Sequence, residues 1–324
     1  MGGLQQVGWR VPNGEARPRE PAEFSDTYRW YVVTVLLIVH VVGHVDRQVM
    51  NVLVEPIRLE FGLSDTVMGL MTGAAFAVFY ATLGLPLALW ADRRNRRNLI
   101  AAAIAVWSVM TVFCGMAVTA FQLILARIGV AVGEAGSNPA SHSLIADLFP
   151  LARRATPMAV LAIGPNLGIL LGFTVGGLVS ASFGWRAAFI AVGAPGLLVS
   201  LLVLLTVRES VRGHADGVIL SGEGSLGQVL KCIRRRPALF FIIAGFSMAS
   251  FFGYGTIAWL TAFFERSYGM SRAQIGPLIG IVVGTVGTVG TFTGGFLADR
   301  FGKRDVRWRL WIICCVGLVA IPFG

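Results

Sequence analysis

The stretch "GGFLADRFGKR" at Gly294–Arg304 has a degenerate second copy, "LALWADRRNRR", at Leu87–Arg97. In each copy an Asp at the end of an apolar run is followed by a turn residue and several cations, and Asp92 and Asp299 lie 207 positions apart. Cations beside a helix end can simply mark topology. The duplication instead predicts an internal repeat, in which an Asp–Arg pair bridges two helix ends as a latch between conformations. We assign this gating role to Asp92, Arg93, Arg97, Asp299, Arg300 and Arg304.

The register of the repeat continues upstream of the two clusters. The run "FGLSDTVMGLMTGAA", from Phe61, aligns with "YGMSRAQIGPLIGIV", from Tyr268. The matching positions are Ser64 with Ser271, Gly69 with Gly276, and Gly73 with Gly280. The serines are placed to cap helix starts, and the glycines have the four-residue spacing that lets helices approach closely in lipid. Parallel repeats of this size are typical of transporters.

The composition predicts a membrane protein. Of the 324 residues, 55% are hydrophobic and 14% charged, and the mean hydropathy is +0.72, which is too apolar for a soluble globular domain. Nine runs reach the length of ~20 residues that a helix needs to cross a bilayer. They cover 30–54, 66–90, 99–119, 121–147, 156–182, 187–207, 238–264, 273–298 and 308–324. The predicted organisation is all-α: a disordered tail at 1–28, a six-helix bundle at 29–208, a linker at 209–237 and a partial second bundle at 238–324.

The net charge of +10 has a topological explanation. With the N-terminus placed in the cytoplasm, 21 of the 27 Lys and Arg residues fall on inner segments, and only Arg58, Arg186, Arg266 and Arg272 face outward. This asymmetry is the positive-inside pattern. We therefore expect a multi-pass protein of the inner (plasma) membrane with a cytoplasmic N-terminus. The basicity requires no nucleic-acid partner.

Together these features resemble the major facilitator superfamily, whose cytoplasmic loop motif reads G-x-L-A-D-R-x-G-R-K/R. Gly295–Arg304 matches this motif throughout, whereas the first copy has Ala88 and Asn95 where the motif has Gly. The resemblance runs from Trp30 to the end of the chain and implies a major facilitator fold of two six-helix halves. Members typically have twelve spans, and this sequence stops at Gly324 inside the ninth. We expect a fragment or a truncated gene product.

The first span carries charges that its counterpart in the repeat lacks. Its "HVDRQ" includes Asp46 and Arg47 and aligns with "FFGYG" in the seventh span. Charges inside a bilayer are costly and by default face a cavity, and Arg47 lies ~15 Å from the end of its span, too deep to snorkel easily. One polar stripe comprises His40, His44, Arg47, Asn51 and Glu55. Asp46 points away from this stripe, toward a neighbouring helix. The two histidines have the spacing of metal ligands, but four His in the whole chain make a metal centre a poor interpretation.

The fourth span, "ARIGVAVGEAGSNPASHSLIADLF", has two distinct faces. One face carries Arg127, Glu134, Asn138 and Ser141, and the opposite face carries Gly129, Gly133 and Gly136. The glycine face is suited to close packing and the polar face to a cavity. Burial and a neighbouring cation act in opposite directions on the proton affinity of a carboxylate, which suits a proton-binding switch at Glu134. The alternative is a permanent structural Arg–Glu pair.

The fifth span, "AIGPNLGILLGFTVGG", has a ridge of small residues. Its members are Gly164, Gly168, Gly172 and Gly176. With Pro165 the ridge loosely resembles a Gly-Pro motif associated with antiporters in the superfamily. Packing against another helix explains it equally well.

Within the superfamily, three features look like the spinster-type transporters: the Asp–Arg pair of the first span, "RIGVAVGEAGSNPA" in the fourth, and "FGWRAAFIAVGAPGLLVSLLVLLTVRES" from Phe183. Eukaryotic spinster members move lysophospholipids and sphingosine phosphate. By this resemblance, proton coupling and headgroup binding would fall to Asp46, Arg47, Arg127 and Glu134. Asn138 and His44 lie on the same polar faces and complete the candidate site. The anion:cation symporters, which take up sugar acids, share similar motifs and are the rival.

The sequence thus predicts a secondary transporter of an amphipathic or anionic organic solute, a class that includes lysolipids, coupled to protons through alternating access. No Walker-type phosphate loop is present for ATP, and no nucleophile–base pair indicates an enzyme or a cofactor. We expect a monomer whose partners are the solute, protons and the lipid bilayer. Two alternatives stay open: a sugar-acid or carboxylate symporter driven by protons, and an inactive or sensory membrane protein.

Overall fold

The computed structural model describes residues 24–91, 95–210, 233–302, 305, 307–308, 311–312 and 315. Its helices run back and forth between two ends of a bundle, which we name the Asp26 end and the Val52 end after the two ends of α1. They are α1 (Asp26–Val52), α2 (Val54–Phe61), α3 (Asp65–Gly69), α4 (Ala75–Ala91), α5 (Arg96–Met116), α6 (Ala120–Leu148), α7 (Ala155–Thr206), α8 (Pro237–Tyr268) and α9 (Arg272–Gly302). A π-helix, Leu70–Ala74, joins α3 to α4, and a 3-10 turn, Leu151–Arg153, precedes α7.

The first eight predicted spans each coincide with helix, whereas the ninth falls almost entirely outside the described residues. Six described helical runs are long and apolar enough to cross a membrane. The helix α6 is not among them because its polar side chains lower its hydropathy. The first helix begins inside the segment assigned to the tail, since Ser25 caps it by accepting a hydrogen bond from the Tyr28 backbone N–H.

The long helix α7 contains the predicted fifth and sixth spans, separated by a break at Gly184. This residue has φ +83° and ψ 167°, in a region of backbone space that side chains with a Cβ rarely enter. Just beyond the break, Trp185 Nε1 donates to Glu60 at 2.6 Å and Arg186 Nη2 donates to it at 2.7 Å. The Arg186 hydrogen bonds, followed by that of Trp185, hold the pKa of Glu60 below its ordinary value. The break therefore lets α7 reverse direction and tie itself to α2 at the Val52 end.

The glycine ridge of the fifth span packs directly on α1. A Cβ added to Gly168 would lie 2.3 Å from His44 Cβ, and one added to Gly164 would lie 2.7 Å from His40 Cβ. These separations are shorter than any real carbon–carbon contact, so only Gly permits this approach. The ridge thereby fixes the backbone that carries His40 and His44.

The glycine face of the fourth span packs on α5, as its spacing indicated. A Cβ on Gly133 would lie 2.6 Å from the Trp107 backbone nitrogen. This contact turns the opposite face of α6, which carries Glu134, away from α5 and toward α1.

The two copies of the repeat use their serines and glycines differently. Ser64 caps α3 by accepting from the Val67 backbone N–H at 3.4 Å, whereas the Ser271 backbone N–H and hydroxyl both donate to the side chain of Gln274 at the start of α9. Gly280 of the second copy packs against the Leu170 carbonyl of α7. The close approach predicted at Gly73 is wrong for the described residues, where an added Cβ would meet nothing within 4 Å. The second copy packs on α7, and no described helix packs on the first at that point.

Candidate transport site

Two charged residues from different helices form a pair inside the bundle. Arg47 on α1 donates from Nε to Glu134 Oε2 on α6. The Glu134 side chain is 3% exposed and that of Arg47 is 22% exposed, so the pair lies at the wall of an opening rather than in closed core. Removing one partner of a buried ion pair typically costs several kcal/mol, because the other charge is left without compensation. The pair therefore makes each of the two charges depend on the other helix.

The Arg47–Glu134 pair borders a small, partly open cavity between α1, α4, α5 and α6. Its lining residues are Val39, His40, Gly43, His44, Arg47, Tyr80, Trp107, Glu134, Ser137 and Asn138. Four of the predicted site residues are among them: His44, Arg47, Glu134 and Asn138. All of the lining residues belong to the first six predicted spans.

Several polar atoms at this cavity have no hydrogen-bond partner among the described residues. They are His40 Nε2, Trp107 Nε1, Glu134 Oε1 and Asn138 Oδ1. Most buried polar groups in proteins are paired, and leaving one unpaired costs about 1–3 kcal/mol. Two nitrogens and two oxygens around one opening can hold a polar ligand or water that offers both donors and acceptors.

Asp46 lies outside the cavity lining. It is 1% exposed, and the Thr111 hydroxyl on α5 donates to its Oδ2 at 2.5 Å. Its predicted orientation toward a neighbouring helix is confirmed. Asp46 and Arg127, which the sequence groups with Arg47 and Glu134 in one candidate site, do not line this cavity and lie behind its wall. Successive residues on a helix point about 100° apart, so Asp46 cannot share the direction of Arg47.

Arg127 on α6 is a buried cation that lies against an aromatic ring. The residue is 4% exposed, and its Nε and Nη1 have no hydrogen-bond partner among the described residues. Its Cζ lies 5.2 Å from the centre of the Phe76 ring, and Arg47 Cζ lies 5.3 Å from the same ring. Arg47 Cζ also lies 4.7 Å from the centre of the Tyr80 ring. One aromatic side chain on α4 therefore contacts both arginines.

The residues of the polar stripe of the first span have different surroundings. His40, His44 and Arg47 line the cavity, and Asn51 donates to Gln48. Its fifth member, Glu55, lies beyond the end of α1 and accepts hydrogen bonds from Arg58 and Arg266.

Sequence reasoning missed the neutral residues of the site. These are Thr111, Trp107, Phe76 and Tyr80, which contact the charged groups or line the cavity. In sequence each looks like any other residue of an apolar span, and no periodic polar signal marks it.

The predicted latch is only partly covered by the structure. Asp92, Arg93 and Arg304 lie outside the described residues. Asp299 belongs to the last turn of α9, and its neighbour Arg300 is exposed. Arg97 donates from Nε to Asn98 Oδ1 at 2.9 Å. The gating role of these residues stays a prediction.

The residue next to Arg97, which the sequence did not single out, is the structural anchor of this end. Arg96 is fully buried and pairs with Asp147 and with Glu209, the latter at 2.8 Å. It also donates to Ser143 and to the Ser210 carbonyl. Arg96 thus joins α5 to α6 and to the segment that follows α7.

Comparison with known proteins agrees with the helical arrangement. Residues 36–324 match the family described as Major Facilitator Superfamily. The chain is 38% identical over 295 residues to an "MFS-type efflux pump" of Mycolicibacterium smegmatis, covering 90% of this chain and 68% of that protein. It is 25% identical over 278 residues to a "Probable L-galactonate transporter" of Escherichia coli, covering 83% of this chain and 61% of that protein.

A solved structure shows the same arrangement of helices. It is a bacterial homologue of the human lysosomal transporter Spinster, in an inward-facing and unoccupied conformation, with a TM-score of 0.78 and 35% identity. The match covers 87% of this chain and 64% of that one, so the chain spans about two thirds of the length of its relatives. The family match covers most of the chain and the fold agrees with that of a spinster-like member. The chain therefore belongs to the Major Facilitator Superfamily.

Proposed function

We propose that the protein is a proton-coupled secondary transporter of an anionic or amphipathic organic solute, working by alternating access. The observation that carries this proposal is the Arg47–Glu134 pair at the wall of the cavity. Behind it lies Arg127, whose Nε and Nη1 have no hydrogen-bond partner among the described residues. A carboxylate held by one cation changes the balance of charge in the site when it gains a proton, because its Arg partner is then released. The released guanidinium can bind an anionic group of the solute.

We propose a division of the roles that the family resemblance assigned jointly to the four charged residues. Asp46 and Glu134 carry the proton, and Arg47 and Arg127 bind the charged end of the solute. Asp46 supports a role of this kind because only one of its oxygens, Oδ2, has a hydrogen-bond partner among the described residues. His44 and Asn138 contribute to the cavity wall. The protein acts as a monomer.

We also propose how the protein is oriented in the membrane. We place the Asp26 end in the cytoplasm and the Val52 end outside, on the basis of the positive-inside distribution of Lys and Arg. The two acid–cation clusters, at Asp92 and Asp299, then lie at the cytoplasmic ends of their helices and serve as the latch.

The test uses the purified protein in proteoliposomes with an imposed pH gradient. The two probes are a fluorescent (NBD-labelled) lysophosphatidic acid, which is an anionic amphipath, and radiolabelled D-glucarate, which is a sugar acid. We expect gradient-driven movement of the lysolipid by the parent. In Glu134→Gln this movement is lost while exchange of the probe without a gradient is kept, because the amide preserves shape but cannot release a proton.

Glu60→Gln is the matched control, because Glu60 is a carboxylate paired with an Arg at the Val52 end and away from the cavity. It should respond to the gradient as the parent does. If Glu134→Gln also responds like the parent, the proton role is wrong and the pair is structural. Movement of glucarate alone would identify the rival sugar-acid function. If neither probe moves, the proposed solute class is wrong.

A further inference from the structure

Two guanidinium groups lie near Glu134, and only one of them is hydrogen-bonded to it. Glu134 is bonded to Arg47, while two guanidinium nitrogens of Arg127, Nε and Nη1, have no hydrogen-bond partner among the described residues although Arg127 is 4% exposed. A buried cation without a partner is costly. The carboxylates of Asp46 and Glu134 attract Arg127 electrostatically without bonding to its Nε or Nη1. A further group beside Arg127 can add to the stabilisation of its charge and keep it from joining the Arg47–Glu134 pair.

The ring of Phe76 is placed both to stabilise the charge of Arg127 and to keep Arg127 away from the Arg47–Glu134 pair. The centre of its ring lies 5.2 Å from Arg127 Cζ and 5.3 Å from Arg47 Cζ, within the range of cation–π attraction. The electron-rich face of an aromatic ring attracts a desolvated cation without accepting its N–H groups as a carboxylate would. The ring thus stabilises Arg127 while its Nε and Nη1 stay free.

The local backbone and a second ring hold Phe76 in this position. Phe76 stacks on Tyr80 one turn further along α4, with ring centres 5.8 Å apart and planes inclined by 17°. It lies two residues after the end of the π-helix Leu70–Ala74. A π-helical turn shifts the direction of every side chain that follows it, and such turns are frequent at functional sites.

We propose that Phe76 is a positioning residue of the transport site. Its ring holds Arg127 apart from Glu134, so that Nε and Nη1 of Arg127 keep no hydrogen-bond partner behind the wall and can bind the anionic group of the solute when the site opens during transport. This inference rests on the proposed function for the identity of the solute. The alternative is that Phe76 only fills space, in which case any apolar side chain of similar size could replace it without loss of solute binding.

The experiment separates the ring's electrostatics from its bulk. Phe76→Leu keeps an apolar side chain but removes the aromatic face, and Phe76→Tyr restores that face. Phe79→Leu is the matched control, because Phe79 lies on the same helix and is 36% exposed. Binding of the NBD-labelled lysophosphatidic acid to the purified protein is measured by fluorescence anisotropy. We expect Phe76→Leu to weaken binding about tenfold, the scale of a desolvated cation–π contact, with Phe76→Tyr and Phe79→Leu close to the parent.

A graded substitution covers the case in which Phe76→Leu fails to fold. Fluorinated phenylalanines placed at position 76 keep the shape of the ring and progressively weaken the negative potential of its face. Affinity should fall steadily with the number of fluorine atoms at position 76 and stay level at position 79. Equal affinity across the series would overturn the proposal.

The last arm requires no ligand, so it separates failure of this inference from failure of the proposed solute. A double-mutant cycle between Phe76→Leu and Arg127→Gln is measured by thermal unfolding of the purified protein. We expect Phe76→Leu to lower the melting temperature less in the Arg127→Gln background than in the parent, because the cation that the ring contacts is already gone. If the parent binds no lysolipid but the two changes are coupled, the solute class is wrong and the positioning role stands. Additive effects would show that Phe76 is space-filling.

Discussion

Arg266 on α8 donates two hydrogen bonds to Glu55 Oε2, from Nε at 2.8 Å and from Nη2 at 2.5 Å, and so ties the second half of the chain to the first at the Val52 end. The same guanidinium donates to both oxygens of Asp65, each at 2.8 Å. Arg58 donates to Glu55 as well. Four charged residues from α2, α3 and α8 thus close this end of the bundle.

Removing the cation that joins the halves should loosen this end. In Arg266→Gln both carboxylates lose their donor from α8, and the halves can separate there more often. The measurement is the rate at which a maleimide labels Asn51→Cys, near the end of α1. We expect that rate to rise about fivefold, the scale of a modest loss of ion-pair energy at a partly exposed site.

Arg186→Gln is the control for this test, because Arg186 pairs with Glu60 within the first half of the chain. It should leave the labelling rate near that of the parent. An unchanged rate in Arg266→Gln would mean that the cluster does not hold the two halves together.

The same tie predicts a pH dependence. Hydrogen bonds from Arg58, and then from Arg266, hold the pKa of Glu55 below its ordinary value. A carboxyl whose pKa is lowered by folding contributes stability above its unfolded pKa, about 4.3, and loses it as the pH falls through the folded value. The melting temperature of the parent should therefore exceed that of Glu55→Gln by a constant amount above about pH 5, and the difference should close at lower pH. A difference that persists undiminished to about pH 3 would contradict this linkage.

The glycine ridge of α7 gives a packing prediction. Gly168→Ala places a methyl group where only 2.3 Å separates it from His44 Cβ, so α7 must move away from α1. We expect a loss of about 1–3 kcal/mol in unfolding free energy, as for other overpacked sites. Gly245→Ala on α8 is the matched control, since its methyl group would meet nothing within 4 Å. It should be neutral or slightly stabilising. Equal effects of the two changes in chemical denaturation would show that the α1–α7 contact is not tight.

The Arg47–Glu134 pair at the cavity gives a prediction about stability, which is checked by comparing single and double variants. Arg47→Ala leaves Glu134 buried with an unpaired charge and should cost about 3–5 kcal/mol of unfolding free energy. Arg47→Ala combined with Glu134→Gln removes both charges and should recover part of that loss. Denaturation of the three variants in detergent measures the coupling. If the double variant is as unstable as the sum of the single ones, the pair contributes nothing as a pair.

The helices and their small-residue faces could be predicted because both leave local signals. Apolar runs located the long helices to within a few residues but did not predict the short helix α2, and the four-residue spacing of Gly164 and Gly168 correctly indicated close packing. The partners across helices left no such signal. The sequence does not show whether Glu134 pairs with Arg47 or with Arg127, because each arginine lies on the polar face of its helix. The pairing depends on how α1, α4 and α6 approach one another, which leaves no local pattern in the sequence.

Arg96 and Arg97 show why such side-chain partners cannot be predicted from the sequence. The two residues are identical and adjacent, but they have different roles. Arg96 is fully buried and uses Nε, Nη1 and Nη2 on partners from α6 and from the segment after α7. Arg97 bonds through its side chain to the neighbouring Asn98. Lys has a single ammonium group and cannot reproduce the planar fork of Arg. Arg96→Lys should therefore cost about 3–5 kcal/mol of unfolding free energy, whereas Arg97→Lys should stay within about 0.5 kcal/mol of the parent. Chemical denaturation of the two single variants in one detergent provides the measurement. Equal stability of the two would mean that the buried network of Arg96 does not hold α5 against α6.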